Sequence, residues 1–273
     1  MPRLGVCSWS LQPDSACQLA ERVGEAGLSA VQLALDPVRL GTMPVEQVLD
    51  AFSDPPIRIL SGMMAMAGED YATLESIRRT GGLAPDETWA TNLAAARDNA
   101  ALAGELGLDL VSFHAGFIPH DPDASPGLVL LDRLRQVAEI FAGRGVRVAL
   151  ETGQETAAAL LELLRRLDHP MVGINFDPAN MILYGAGDPV AALRLLRGHV
   201  LQVHVKDALP AARVGEWGTE VPAGEGAVDW GAFFEALRAG PELNLVIERE
   251  AGQQRVTDVR VAAALVRAYG AAA

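Results

Sequence analysis

The sequence predicts an α/β protein that folds as a single (β/α)8 barrel. Its 273 residues match the length of about 250 that one such barrel needs. Eight short apolar runs alternate with longer segments of helical periodicity along the chain. Because parallel strands need crossover connections that are usually helices, repeated strand–helix alternation predicts a closed parallel sheet surrounded by helices.

The predicted strands are rich in Val, Ile and Leu, which is typical of strands buried on both faces. In chain order they are residues 4–9, 30–35, 58–64, 108–114, 146–151, 172–177, 200–206 and 244–250. The segments between them place apolar residues on one stripe, as in 132–141 and 156–167. Gly27, Gly107 and Gly145 each follow a helical stretch and precede a strand, the usual position of a glycine that ends a helix.

The alternative fold is an open doubly wound sheet that binds a nucleotide. No G-x-G-x-x-G pattern follows the first predicted strand, and Gly224-Glu225-Gly226 comes too late in the chain to serve as one. The barrel is therefore favoured. Residues 68–91 and 209–228 exceed the usual length of strand–helix loops. Both follow strands, so we expect them at the active-site face as lids or substrate walls.

Composition excludes several classes of partner. The formal net charge is -13, with 22 Lys and Arg against 35 Asp and Glu, and such a surface repels nucleic acid. No apolar stretch reaches the roughly 18 residues of a membrane span, and the segment MPRLGVCSWSL lacks the apolar core of a signal peptide. The two cysteines are too few for a disulfide framework. We therefore expect a cytoplasmic protein with reduced thiols and no membrane partner.

Four consecutive predicted strands end in groups that bind metals. They are Glu151, Asp177, His204 and Glu248, each following an apolar run. One such carboxylate alone usually caps a helix or joins a salt bridge. Several buried, unpaired carboxylates at one depth are costly unless they share a cation. We expect one divalent ion here. The oxygen-rich donor set favours Mn²⁺ or Mg²⁺, with Co²⁺ or Zn²⁺ as alternatives.

The runs VALETG, NFDPANM, VHVKD, VIERE and PAGEGAVDW resemble the xylose isomerase-like TIM-barrel superfamily. Within it, the chain is similar to the sugar phosphate isomerase/epimerase group, which includes ketose 3-epimerases, hydroxypyruvate isomerase and inosose dehydratase. The resemblance implies one TIM-barrel domain over residues 1–273. It also implies that Glu151 and Glu248 serve both as metal ligands and as the catalytic acid/base pair of an enediolate mechanism. Relatives are often dimers or tetramers, so a homo-oligomer is implied by analogy alone.

Four further residues are candidates for binding substrate: His114, Lys206, Asn180 and Trp9. His114 ends strand four and is either a substrate contact or a core histidine. Lys206 should point to the same side of its strand as His204, two residues earlier, and either neutralises an enediolate or pairs with a carboxylate. Trp9 either forms an apolar wall against sugar carbons or packs under a loop.

Two departures from ketose 3-epimerases leave the particular reaction open. Asn180 stands where that group has a substrate-contacting His, and Pro210 stands where it has an Arg. An isomerase or epimerase of a small sugar or keto-sugar, acting in carbohydrate metabolism, is the first hypothesis. Lys206 and Arg213 are the obvious cations near the late strand ends, which favours an unphosphorylated substrate.

A metal-dependent lyase of the inosose dehydratase type is the main alternative, because the spacing in VHVKD is compatible with it. An apurinic endonuclease would need more metal-binding histidines than the five present, and the negative charge opposes DNA. A non-catalytic sugar-binding barrel is the last alternative, and the complete set of four ligands argues against it.

Overall fold

The computed structural model describes residues 3–119, 124–213 and 215–271. Eight parallel strands form a closed barrel: β1 (Leu4–Cys7), β2 (Ala30–Ala34), β3 (Arg58–Met63), β4 (Leu110–Phe113), β5 (Arg147–Glu151), β6 (Val172–Phe176), β7 (Val200–Val205) and β10 (Asn244–Ile247). Each strand pairs with its neighbours in chain order, and β10 closes the sheet between β7 and β1. The predicted (β/α)8 barrel is confirmed. Each of these eight strands is one to three residues shorter than predicted.

Helices follow the strands and cover the barrel. They are α1 (Ala16–Glu25), α2 (Leu35–Arg39), α3 (Val45–Ala51), α4 (Leu74–Thr80), α5 (Asp86–Glu105), α6 (Ser125–Ala142), α7 (Ala157–Leu167), α8 (Pro178–Tyr184), α9 (Pro189–Leu196), α10 (Trp230–Arg238) and α11 (Arg255–Ala268). Gly27, Gly107 and Gly145 have φ of 71°, 66° and 72°, the left-handed conformation expected after a helix. No helix within the described ranges is long and apolar enough to cross a membrane.

The apolar core lies between the sheet and the helices. Large side chains that are fully buried there include Phe113, Phe141, Phe176, Phe233 and Phe234. Burial of these aromatic side chains and of the aliphatic side chains around them is the main contribution to the stability of the fold.

The interior of the barrel is partly polar, although the strands were predicted to be almost wholly apolar. Five fully buried polar side chains, named here the polar layer, lie beneath the carboxyl ends of the strands: Gln32, Ser61, Ser112, Asn175 and Gln202. They satisfy one another, since Ser61 Oγ donates to Gln202 Oε1 at 2.7 Å and Gln202 Nε2 donates to Asn175 Oδ1 at 3.3 Å. A smaller apolar cluster of Cys7, Ala30, Leu60 and Val246 fills the adjoining space.

The two long segments carry structure of their own. Residues 68–91 contain α4 and the start of α5. The described part of 209–228 contains β9 (Thr219–Val221), which pairs antiparallel with β8 (Asp207–Leu209). This hairpin packs on α8, where Gly218 N donates to Leu183 O at 3.2 Å.

Asp207 holds the second long segment to the end of β7. Its buried carboxylate accepts hydrogen bonds at 2.9–3.2 Å from the backbone N–H groups of Ala208, Gly224, Gly226 and Val228 and from Nε1 of Trp230. A Cβ at Gly226 would lie 2.0 Å from Asp207 Oδ1, so only glycine lets the loop approach this closely. The carboxylate therefore organises the loop that enters α10.

Replacing Asp207 should destabilise the fold strongly. The variant Asp207→Ala leaves several buried donors unpaired, and we expect a loss of roughly 3 kcal/mol or more in the free energy of unfolding, measured in urea. The control is Asp229→Ala, which removes an exposed helix N-cap and should cost about 1 kcal/mol. Equal losses in the two variants would contradict the organising role of Asp207.

Candidate metal centre and active site

The four predicted ligands meet at the carboxyl end of the barrel. Nδ1 of His204 lies 3.5 Å from Glu151 Oε1, 3.4 Å from Asp177 Oδ2 and 3.5 Å from Glu248 Oε2. One donor atom from each of the four residues lies within 4.8 Å of the others. All four side chains are buried. They come from β5, β6, β7 and β10, which are consecutive in the sheet.

Two of these donor atoms lack a hydrogen bond. Asp177 Oδ2 and His204 Nδ1 are buried without a partner in the described part of the chain. Three carboxylates and a ring nitrogen facing one point repel one another unless a positive charge lies between them. The donor set therefore fits a divalent cation that accepts oxygen and imidazole ligands.

The electrostatics of the cluster agree with this need for positive charge. Burial alone lowers the pKa of His204, but Glu151 and Glu248 outweigh it and hold that pKa well above its usual value. Burial raises the pKa of Glu248, yet Lys206 and His204 bring it well below the ordinary range. A proton on His204 supplies part of the charge that a cation would supply in full.

Lys206 is paired with carboxylates rather than free. Its buried Nζ donates to Glu248 Oε2 at 2.8 Å, to Glu250 Oε2 at 2.5 Å and to Asn180 Oδ1 at 3.2 Å. The carboxylate partners of Lys206 are thus Glu248 and Glu250. The neighbouring Asp207 instead accepts hydrogen bonds from the loop described above. Lys206 lies beside a candidate catalytic carboxylate, where it fixes the orientation of that group.

The other three predicted substrate residues also adjoin the cluster. Asn180 Nδ2 donates to Glu151 Oε1 at 2.9 Å, and Trp9 Nε1 donates to Glu248 Oε1 at 2.9 Å. His114 Nε2 lies 3.8 Å from Glu151 Oε1, and its Nδ1 has no hydrogen-bond partner among the described residues. Each therefore touches one of the two carboxylates expected to transfer protons.

An aromatic wall lies on the same face and was not predicted. The Tyr184 ring packs edge-on against Trp217, with ring centres 4.8 Å apart, and against Phe117 at 5.9 Å. Gln154 Nε2 donates to the Tyr184 hydroxyl at 3.3 Å. Trp217 Nε1 is buried without a partner in the ranges that the structure describes. The signal available in the sequence was the position of Trp217 inside the long segment 209–228.

Glu155 is a second residue that the sequence did not single out. It lies in the segment after β5, and its Oε1 is buried without a partner among the described residues. Burial raises the pKa of Glu155 to about 8, although His114 partly opposes this shift. A carboxyl group with a pKa raised in this way keeps its proton at pH values where an unburied Glu is ionised, and could donate that proton.

Residues 20–269 match a family model described as the xylose isomerase-like TIM barrel, and the chain belongs to that family. The superfamily resemblance inferred from the sequence motifs is confirmed.

Individual relatives include several enzymes. A 3-dehydroshikimate dehydratase of Bacillus anthracis is 31% identical over 124 residues, covering 40% of this chain and 44% of that protein. The matches span less than half the length of the curated relatives. Among solved structures, a xylose isomerase domain protein of Planctomyces limnophilus has a TM-score of 0.81 and 32% identity, covering 91% of this chain and 89% of the other. An L-ribulose 3-epimerase has a TM-score of 0.76 and 17% identity, and the match covers 98% of this chain and 94% of the other.

Two further structures of this fold contain metal. A protein of Mycobacterium smegmatis is in complex with magnesium, at 15% identity and a TM-score of 0.72, covering 100% of this chain and 98% of the other. A protein named IOLI binds a zinc atom; it has 16% identity and a TM-score of 0.74, and the match covers 98% of this chain and 97% of the other.

The raised pKa of Glu155 predicts a pH-dependent stability. A folded-state pKa of about 8 against an ordinary 4.5 means that the folded protein binds a proton which the unfolded chain has released. That stabilisation is complete below pH 4.5 and is lost as pH rises through 8. In the presence of a chelator, Glu155→Gln should be more stable relative to the native protein at pH 8 than at pH 5. A constant difference in urea midpoints across this range would contradict the neutral carboxylic acid.

Proposed function

We propose that the protein is a metal-dependent isomerase or epimerase of a small sugar or keto-sugar. Glu151, Asp177, His204 and Glu248 hold one divalent ion, and Glu151 and Glu248 act as the acid/base pair. The observation that carries the proposal is the meeting of three buried carboxylates around an unpartnered imidazole nitrogen. That arrangement is costly in a protein without a cation.

A bound divalent ion supplies positive charge that stabilises the negative charge developing on a substrate carbonyl oxygen when the neighbouring C–H loses its proton. The two glutamates move that proton. Glu151 is oriented by Asn180 and by Asn175, whose Nδ2 donates to Glu151 Oε2 at 3.1 Å. Glu248 is oriented by Trp9 and Lys206. Each carboxylate keeps a fixed direction, as proton transfer between positioned groups requires.

The destination of the proton determines the reaction. If one glutamate removes it and the other returns it to the opposite face, the stereocentre is inverted. If the proton returns to the neighbouring carbon, an aldose and a ketose are interconverted. The name of the L-ribulose 3-epimerase of the same fold supports the first outcome.

A lyase reaction is the second candidate. It is favoured by the neutral Glu155, which can protonate a departing hydroxyl, and by the similarity to a 3-dehydroshikimate dehydratase. In this reaction the enediolate expels the hydroxyl on the adjacent carbon.

The ion is chosen by the donor set. Three carboxylates and one imidazole favour Mn²⁺ or Mg²⁺ and also accept Co²⁺ or Zn²⁺. Magnesium and zinc in two structures of this fold support this range of ions.

The charges around the site favour a neutral substrate. Lys206 is taken up by Glu248 and Glu250, with Glu220 at 4.0 Å. The nearby Arg249 pairs with Glu220 at 2.7 Å and with Asp258 at 2.8 Å. A phosphate or carboxylate on the substrate would therefore meet carboxylates that already hold these two cations. The wall formed by Phe117, Tyr184 and Trp217 suits the apolar face of a sugar ring or chain.

The metal site is tested by elemental analysis of purified protein after incubation with Mn²⁺, Mg²⁺, Co²⁺ or Zn²⁺. We expect about one ion per chain, and loss of the ion in Asp177→Asn and in the double variant Glu151→Gln, Glu248→Gln. The control Glu250→Gln alters a partner of Lys206 outside the ligand set and should keep the ion. A native protein that binds none of these ions would rule out the site.

The reaction is tested by proton exchange in deuterated water at saturating metal. We expect neutral keto-sugars or inososes to exchange the hydrogen next to the carbonyl. Loss of a positioned acid/base group, as in Glu151→Gln, should slow exchange about 10²–10⁴-fold. In the native protein, phosphorylated keto-sugars or inososes should exchange this hydrogen more slowly than the neutral compounds. Faster exchange of a phosphorylated sugar would contradict a neutral substrate and point to Arg78, whose guanidinium lies 5.0 Å from the Phe117 ring centre.

A further inference from the structure

His204 belongs to two possible ligand groups. Its Nδ1 faces Glu151, Asp177 and Glu248, whereas its Nε2 lies 3.7 Å from Cys7 Sγ. Cys7, His204 and Glu248 are also close enough together to hold an ion. An imidazole that binds a metal is neutral, with a lone pair on the nitrogen that faces the metal and a hydrogen on the other nitrogen. The tautomer of His204 therefore decides which group can bind metal through it.

Gln32 of the polar layer contacts the second ring nitrogen. Its Oε1 lies 2.7 Å from His204 Nε2. Its Nε2 donates to the backbone carbonyl of Gly62 at 3.3 Å and to Ser112 Oγ at 2.7 Å. Because a carbonyl oxygen only accepts hydrogen bonds, the NH₂ group of Gln32 must face Gly62. This orientation leaves the Gln32 oxygen facing His204, so His204 Nε2 carries the hydrogen and donates it.

Two neighbouring side chains also contact this pair of residues. The Cys7 thiol donates to the same Gln32 oxygen at 3.5 Å. Asn175 Nδ2 donates one hydrogen to Glu151 Oε2 at 3.1 Å and also lies 2.9 Å from His204 Nε2, so it competes with Gln32 for that nitrogen. The shorter contact of 2.7 Å, to the Gln32 oxygen, favours the hydrogen on Nε2. Gln32, Ser112 and Cys7 are fully buried, so water does not compete for these groups.

We propose that Gln32 is a positioning residue of the metal centre: it fixes His204 as the Nε2–H tautomer, which turns the Nδ1 lone pair toward Glu151, Asp177 and Glu248 and withholds His204 from an ion at Cys7. The inference rests on the proposed metal site. Its chemical consequence is selectivity, since Gln32 commits the shared histidine to an oxygen-rich donor set and away from a thiolate that favours softer ions.

The test compares Gln32→Met with two other variants. Gln32→Met keeps the side-chain length but removes the acceptor from His204, and loss of such an outer partner typically weakens metal affinity 10–100-fold. Gln32→Glu keeps an acceptor for Nε2–H and adds negative charge beside His204, so its affinity should not fall below that of the native protein. Ser61→Ala is the matched control, because it removes a hydrogen bond of the polar layer to Gln202 without touching His204.

Mn²⁺ affinity is measured by calorimetric titration at one pH, alongside the thermal midpoint of each metal-free protein. We expect a 10–100-fold weaker affinity in Gln32→Met, no weakening in Gln32→Glu, and native affinity in Ser61→Ala. A purely structural role would lower the midpoints of Gln32→Met and Ser61→Ala together and leave the affinity of both unchanged. Native affinity in Gln32→Met would overturn the inference.

The tautomer is read directly from ¹⁵N-labelled histidine in the zinc-loaded native protein. We expect His204 to show a metal-bound Nδ1 and a protonated Nε2, and a metal-bound Nε2 would overturn the inference even if Gln32→Met fails to fold. In Co²⁺-loaded protein, thiolate-to-metal absorption should be absent from the native chain and appear in Gln32→Met, where Cys7→Ala removes it. A native protein that binds no ion contradicts the proposed function as a whole, whereas a native protein that binds through Cys7 contradicts the role of Gln32 alone.

Discussion

The burial of like charges at one end of the barrel is the constraint on which the rest of the site depends. Glu151, Asp177 and Glu248, at the ends of β5, β6 and β10, surround one nitrogen of His204 on β7. Carboxylates so close together are tolerated only when cations and hydrogen bonds compensate them. Lys206, Asn180 and Trp9 supply part of this compensation to Glu248 and Glu151, whereas Asp177 Oδ2 has no partner among the described residues.

The strand order explains why residues so far apart in sequence come together. A parallel barrel brings the carboxyl ends of all its strands to one rim, so each strand contributes side chains at the same depth. The polar layer beneath the rim then fixes how those side chains turn. The sheet thus sets the positions of the four candidate ligands, and hydrogen bonds inside the barrel set their orientation.

The fold and the ligand cluster could be predicted because they depend on local, periodic signals. Apolar runs that end in Glu151, Asp177, His204 or Glu248 are visible in the sequence, and the barrel topology makes them converge. The polar layer could not be predicted in the same way. Gln32, Ser112 and Gln202 are single polar residues within apolar strands, and their pairing across the barrel depends on stagger between strands, including the register shift beside Gln32.

Glu155 and the aromatic wall were beyond prediction for a different reason. They lie in or beside loops, where no periodicity relates position in the chain to direction in space. The pKa of Glu155 depends on burial that only the assembled loops create. The partners of Lys206 were likewise open, because Glu248, Glu250 and Asp207 all lay within plausible reach in the sequence.

The filled interior of the barrel restricts the routes by which small molecules could reach the proposed site. The polar layer and the cluster of Cys7, Ala30, Leu60 and Val246 occupy the space inside the sheet up to the ligands. At the proposed site, an ion and a substrate would therefore share one route, the opening between the strand ends and the hairpin formed by β8 and β9. On that route a bound substrate would lie between the ion and solvent, so exchange of the ion should be slower while substrate is bound.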